Sequence, residues 1–393
     1  MPPAIKHFRD FFASLRLTVA LIGLSMALIF AATLDQVHLG VWAVQQKYFH
    51  SLFVLTHIGD VPVPVFPGGY LIGGLLLVNL VTAHVCRFKP SWRNAGIWLV
   101  HTGLILLLFG ELLSGLVQRD FQMRLDQGET KNFSESSRFN ELAIIDATDP
   151  NFDDVVAVPE RLLAEGTAFQ HPKLPFRVVP KIYYPNSSVQ MRGTEPGLPP
   201  SPATMGIGPG IVATPLALTY VGDERNLPTA FVELIGQDGS LGTWMVSTQL
   251  GMPQRFECAG RTWKLILRPE RHYQPFSLTL LKFSHDVYPG TDIPKNFSSR
   301  VRLTPAGGGP TREVLIYMNN PLRHEGLTFY QASFANNDQT TILQVVRNPS
   351  WLLPYISCAT IAAGLVLQFL LHLVRFAGRR NATAVRAAAA TAA

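Results

Sequence analysis

The sequence predicts an integral membrane, α-helical protein of four transmembrane helices with an extracytoplasmic, all-β-rich domain. Three observations predict it. Hydrophobic residues make up 47% of the 393-residue chain and charged residues only 15%, a balance that soluble domains of this size seldom show. Four apolar runs approach the roughly 20 residues that a helix needs to cross the hydrocarbon core. Between the third and fourth runs lies a long segment of short strand-like stretches divided by turn residues.

The elements follow in order. Residues 1–16 carry Lys6, Arg9 and Arg16 ahead of the first span at 17–34 (LTVALIGLSMALIFAATL). This run is too long for a signal-peptide core, and Asp35-Gln36 stands where a small-residue cleavage site belongs, so it reads as an uncleaved anchor. Residues 35–69 carry only Lys47 among Lys and Arg. The second span, 70–86, and the third, 95–116, flank a loop at 87–94 holding Arg87, Lys89 and Arg93. The fourth, 351–374, precedes Arg375, Arg379, Arg380 and Arg386, and the alanine-rich tail at 375–393 reads as disordered. Lys and Arg concentrate on the cytoplasmic side of short loops. Both termini are therefore expected in the cytoplasm, with 35–69 and 117–350 outside.

Residues 117–350 contain ELAIID at 141–146, TAFVELIG at 229–236, TWKLILR at 262–268 and FSLTLLKF at 276–283. EVLIYM at 313–318, LTFYQASF at 327–334 and TTILQVV at 340–346 continue the series. Short runs rich in Val, Ile, Thr, Phe and Tyr between turn signals predict an antiparallel sandwich or barrel. The stretch 184–215 is dense in Pro, Gly and Ser and reads as an irregular insertion.

Composition also excludes function classes. The net charge of +6 lies beside the apolar runs rather than in an arginine-rich, aromatic-interleaved stripe, so nucleic acid is not an expected partner. Cys86, Cys258 and Cys358 show neither CxxC nor CxxCH spacing, so no disulfide framework or paired-thiol chemistry is predicted. No GxSxG elbow, Walker loop or HExxH pair occurs. His171, His272, His285 and His324 lack zinc-ligand spacing. No catalytic residue is assigned.

The histidines inside the spans are different. His101 sits in WLVHTGLILLLFGE, and His84 near the cytoplasmic end of the second span. An imidazole in lipid is costly and turns towards protein or water. Two readings stand for each: an interhelical hydrogen bond to Asn79, Thr82 or Thr102, or ligation of haem iron, for which neutral imidazole is the usual axial donor. His372, near the end of the last span, reads as a snorkelling side chain. Glu111 lies about 15 Å along the helix from His101 and off its stripe, so the two are not an acid–base pair.

Three stretches carry a resemblance. FFASLRLTVALIGLSMALIFAATLDQ at 11–36 resembles the opening span of ResB proteins, also called CcsB. FSLTLLKFSHDVYPGTDIPKNFSSRVRL at 276–303 is similar to the family's Y-P-G-T-D-x-P-K segment, and MNNPLRHEGLTFYQASF at 318–334 to its N-x-P…G-x-x-F-Y-Q motif. The resemblance implies a subunit of System II cytochrome c maturation. It would act with a ResC/CcsA-type multi-span partner to carry haem b across the membrane and present it to the CxxCH thiols of apocytochrome c. It would be a subunit of such a complex rather than an enzyme alone, and a thiol-reducing, thioredoxin-like protein is a further partner of such systems. In fused members the third span carries an F-x-H-x-x-F/L-x-x-x-L-x-G histidine that shares haem iron with the partner. His101 falls at that position; His84 has no family counterpart. The outer-domain cysteine that some members use in haem capture could correspond here only to Cys258, whose context does not match.

Tyr288, Pro289, Gly290, Thr291, Asp292 and Pro294 read physically as tight-turn chemistry, a fold or docking element. Asn320, Pro321, Gly326, Phe329, Tyr330 and Gln331 read the same way. Two other functions compete with the maturation reading: an outer binding or sensing module merely tethered by its spans, and a small b-type cytochrome using His84 and His101 together.

Overall fold

A computed structural model describes residues 3–59, 61–87, 91–193, 200–219, 225–291, 294–336 and 338–391. The chain divides into two compact units, Met1–Gln118 with Asn348–Ala393, and Arg119–Arg347.

The first unit is helical. Helix α1 (Pro3–Phe12) is followed by α2 (Leu15–Val44), with Ser14 capping α2 by accepting from the Arg16 N–H at 3.2 Å. Strands β1 (Phe53–Ile58) and β2 (Val61–Pro67) form an antiparallel hairpin. Then come α3 (Gly69–Arg87), α4 (Ala95–Val117) and, after the second unit, α5 (Leu353–Thr391). Among the described residues four helical segments are long and apolar enough to cross a membrane: Leu15–Phe49, Gly69–Arg87, Trp92–Val117 and Leu353–Arg379.

Two boundaries differ from expectation. Helix α2 runs past residue 34 because Asp35 is not a stop: its carboxylate accepts from Lys47 Nζ and Tyr48 OH, each at 2.7 Å, one helical segment further on. The tail, expected to be disordered, instead continues α5 to Thr391, as alanine, the strongest helix former, allows.

Helices α4 and α5 meet along a line of small residues. Gly96, Gly103 and Gly110 recur every seven positions and are all buried. A Cβ at Gly103 would stand 2.5 Å from Ile361 Cγ1 and 2.9 Å from the Ser357 carbonyl oxygen; one at Gly96 would stand 2.5 Å from Gln368 Cβ. Close backbone approach is what such residues permit where lipid removes the hydrophobic drive for helix association.

The second unit holds β3 (Arg119–Asp126), β4 (Thr130–Asp146), β5 (Asp154–Pro159), β6 (Arg177–Tyr184), β7 (Ser187–Met191), β8 (Ile211–Pro215), β9 (Thr229–Gly236) and β10 (Gly239–Ser247). It continues with β11 (Gln254–Cys258), β12 (Arg261–Val287), β13 (Pro294–Pro305), β14 (Arg312–Tyr317), β15 (Leu322–His324), β16 (Leu327–Ala335) and β17 (Thr340–Arg347). A ten-stranded antiparallel sheet runs β14-β13-β12-β4-β3-β17-β16-β15, with β11 on β12 and β5 on β4. A three-stranded sheet, β10-β9-β6, covers one half of it. There Leu142, Ile144, Val232, Leu234, Trp244, Trp263 and Leu265 form one core. In the other half Phe121, Met123, Phe276, Leu278, Val301, Phe329 and Leu343 form a second. Alternate residues of each strand supply these cores, as the twofold side-chain period requires, and each fully buried large side chain contributes about 1.5–3 kcal/mol.

The runs at 262–268 and 276–283 are one strand. β12 is 27 residues long, and its register against β4 shifts between Pro269 and Arg271 and again between Tyr273 and Leu278. Pro269 and Pro275 split the pattern in the sequence, whereas the sheet absorbs them as irregularities. The stretch 184–215 is not wholly irregular: β7 and β8 pair as an antiparallel hairpin within it, and its residues 194–199 lie outside those described.

Candidate functional site

The intramembrane histidines come together on α3 and α4. Their ring centroids lie 6.2 Å apart with planes 24° from parallel. The His101 Nδ1 lies 2.8 Å from the Ile97 carbonyl oxygen. A carbonyl only accepts, so this bond puts the proton on Nδ1 and the lone pair on Nε2, the form in which imidazole ligates a metal. The same kind of bond orients ligating histidines in metal sites. His84 is buried, with the Trp98 ring edge-on at 4.0 Å and its Nε2 3.5 Å from Thr102 Oγ1.

Of the hydrogen-bond partners expected for these histidines, Thr102 lies near His84. Thr82 bonds back to the Val78 carbonyl at 2.7 Å. Asn79, 2% exposed, donates to the Phe12 and Ser14 carbonyls at 2.6 and 3.2 Å and accepts from Thr18 Oγ1 at 2.7 Å. It therefore fastens the α1–α2 junction to α3. His372 meets Gln368 Nε2 at 2.9 Å on its own helix.

The outer-domain motifs build turns and packing. Tyr288 is exposed, and its carbonyl accepts from the Thr291 N–H and Oγ1 at 3.1 and 3.0 Å around Gly290, closing the β12–β13 connection. Pro294 opens β13 opposite Val287; Asp292 lies outside the described residues. Asn320 N–H donates to the Tyr317 carbonyl at 2.9 Å, turning the chain ahead of Pro321 and β15. Glu325 and Gly326, both at positive φ (47° and 76°), join β15 to β16 in the two-residue form that suits a twisted hairpin. Phe329 is fully buried against Phe276, while Tyr330 on the next position faces out. Gln331 accepts from Ser299 Oγ at 2.6 Å and donates to Thr341 Oγ1 at 3.0 Å, tying β13, β16 and β17 together.

Residues 258–342 match the ResB-like family. The segment is ResB-like. It includes both outer-domain stretches that carried the resemblance, whereas the opening stretch at 11–36 and His101 lie outside it. Protein NrfI of Wolinella succinogenes is 32% identical to this chain over 108 residues, 28% of the chain and 12% of NrfI. The cytochrome c biogenesis protein CcsB of a Synechococcus strain is 36% identical over 101 residues, 26% of the chain and 22% of that protein. The matched stretches thus cover a minor part of either relative.

The ResB-like segment opens at Cys258, the last residue of β11. Burial pushes its thiol up, and Asp238 adds to the effect. A raised thiol is poorly ionised near neutral pH and so a weak nucleophile. Two features of the outer domain had no sequence signal. His285 packs against the Phe297 and Phe334 rings, each centroid 4.7 Å away, with Asp338 Oδ1 3.2 Å from its Nδ1. Glu141 and Arg268 form an ion pair at 2.9 Å, both side chains under a tenth exposed. Neither pairing is visible before the register of the strands is known.

Proposed function

We propose that the chain is a membrane subunit of cytochrome c maturation, acting with a ResC/CcsA-type partner to pass haem outward and present it to apocytochrome c. The observation that carries this reading is the ResB-like segment, alongside the similarity over 101 residues to a relative whose name is cytochrome c biogenesis protein CcsB. Lys and Arg flanking the spans support cytoplasmic termini and an outer β domain. In that orientation His101, six residues into α4 and so about 9 Å from its start, faces the leaflet through which cytoplasmic haem enters.

Haem is cargo here, and its iron accepts axial imidazole nitrogen. The Ile97 carbonyl holds the His101 ring in the ligating tautomer, and a histidine of the partner would supply a second ligand. His84 is the alternative. The 6.2 Å ring separation favours a second reading, in which both histidines of this chain hold haem b alone. The first is preferred because Trp98 and Thr102 already engage the His84 ring.

Deletion of the gene tests the function. Loss of covalently bound haem from c-type cytochromes, restored by the cloned gene, is the expected result; normal levels would overturn the proposal. The purified chain separates the two site readings. Dependence of bound haem on the partner supports a shared site. A stable bis-histidine spectrum from this chain alone, lost with either His84→Ala or His101→Ala, supports the cytochrome.

A further inference from the structure

Helix α1 is amphipathic and stands apart from the span that follows it. At 100° per residue Ile5, Phe8, Phe11 and Phe12 share one side, and Lys6, His7, Arg9 and Asp10 the other. Ile5, Phe8 and Phe11 are 48%, 63% and 58% exposed, a large apolar stripe for a helix of ten residues. Arg9 and Asp10 neutralise one another at 2.8 Å, leaving Lys6 and, at the start of α2, Arg16 as the net charge of this end.

The helix is also prevented from continuing into α2. Ser14 caps the second helix, and Asn79 of α3 holds the Phe12 and Ser14 carbonyls that the break exposes. A buried polar side chain spent on a chain break fixes the direction of α1 instead of leaving it to fray.

We propose that α1 lies in the bilayer interface and binds an anionic lipid surface. Ile5, Phe8 and Phe11 enter the boundary between headgroups and acyl chains, and Lys6 and Arg16 meet lipid phosphate. A short helix with aromatic residues on one face and net positive charge on the other has the chemistry of an interfacial anchor. Asn79 makes the anchor rigid, so headgroup attraction at α1 is transmitted to α3, the helix that carries His84.

Spin labels on the full-length protein test this, with Cys86, Cys258 and Cys358 replaced by serine and one cysteine introduced at a time. The protein is reconstituted in vesicles of phosphatidylcholine alone or with one-third phosphatidylglycerol. Labels at Ile5→Cys, Phe8→Cys and Phe11→Cys should be accessible to oxygen, and those at Lys6→Cys and Asp10→Cys to a water-soluble nickel complex. The label at Phe8→Cys should move less in the phosphatidylglycerol vesicles, and Lys6→Glu with Arg16→Glu should remove that difference. Water access at Phe8→Cys, protection from both reagents, or equal mobility in the two lipids would each overturn the proposal. Function plays no part in these readings, so they stand or fall apart from the maturation role.

Discussion

Glu141 and Arg268 sit opposite one another on β4 and β12, and both are buried. Removing one partner leaves a buried charge uncompensated, at a cost of about 3–5 kcal/mol, whereas replacing both by apolar residues is often close to neutral. Glu141→Leu should therefore lower the unfolding midpoint sharply, and Glu141→Leu with Arg268→Met should recover most of it; thermal melts of the detergent-solubilised chain decide. His272 gives a pH dependence. Its ring stacks on Phe121 at 5.1 Å, and burial first, then Arg347 and Arg119, hold it below the ordinary histidine value against a smaller pull from Glu270. As pH falls through about 6.5 the unfolded chain takes a proton that the folded chain refuses. Stability should therefore decline from there towards the folded-state value, with no contribution above it. Melts of the wild type and His272→Phe across that window check it: the variant should have a flatter profile. His101 was legible in the sequence because one imidazole in an apolar run has no innocent solvent. Asn79 was legible only as a polar residue in a span, since its partners lie more than sixty positions away.

At the scale of elements, hydropathy located the four spans because length and apolarity are what lipid demands. Their ends were less legible, since a side chain such as Asp35 can be satisfied by residues of the next helical segment, Lys47 and Tyr48. The strand runs emerged where alternation was strong, but prolines cut β12 in two. Helix packing leaves a sharper prediction. Gly103→Leu must displace Ile361 or the α5 backbone, and overpacking of this kind costs about 1–3 kcal/mol. The variant should show reduced thermal stability, while Gly23→Leu, with no atom within 4 Å of an added Cβ, should not. At the β15–β16 turn, Gly326→Val asks a β-branched residue to adopt a φ near 76° and should destabilise the outer domain. Hydrogen exchange at β15 and β16 would register it as faster exchange.

For the whole molecule, two kinds of information met. Hydropathy and strand patterning predicted helices in one unit and sheet in the other, and the compact units divide at Gln118/Arg119 and Arg347/Asn348. The ResB-like residues, 258–342, fall entirely in the sheet unit, where turns and core packing account for most of the motif. The proposed haem ligand falls in the other. Sequence could single out His101, but not the 6.2 Å approach of His84, which depends on how α3 and α4 face each other. The proposed ligation of haem in transit by His101 is measured with His101→Gly in the otherwise intact system, grown with and without imidazole and read as covalent haem in c-type cytochromes. Loss without imidazole and recovery with it are expected, at unchanged amounts of the protein in the membrane. Wild-type cytochrome levels in His101→Gly without imidazole would contradict the proposed ligation.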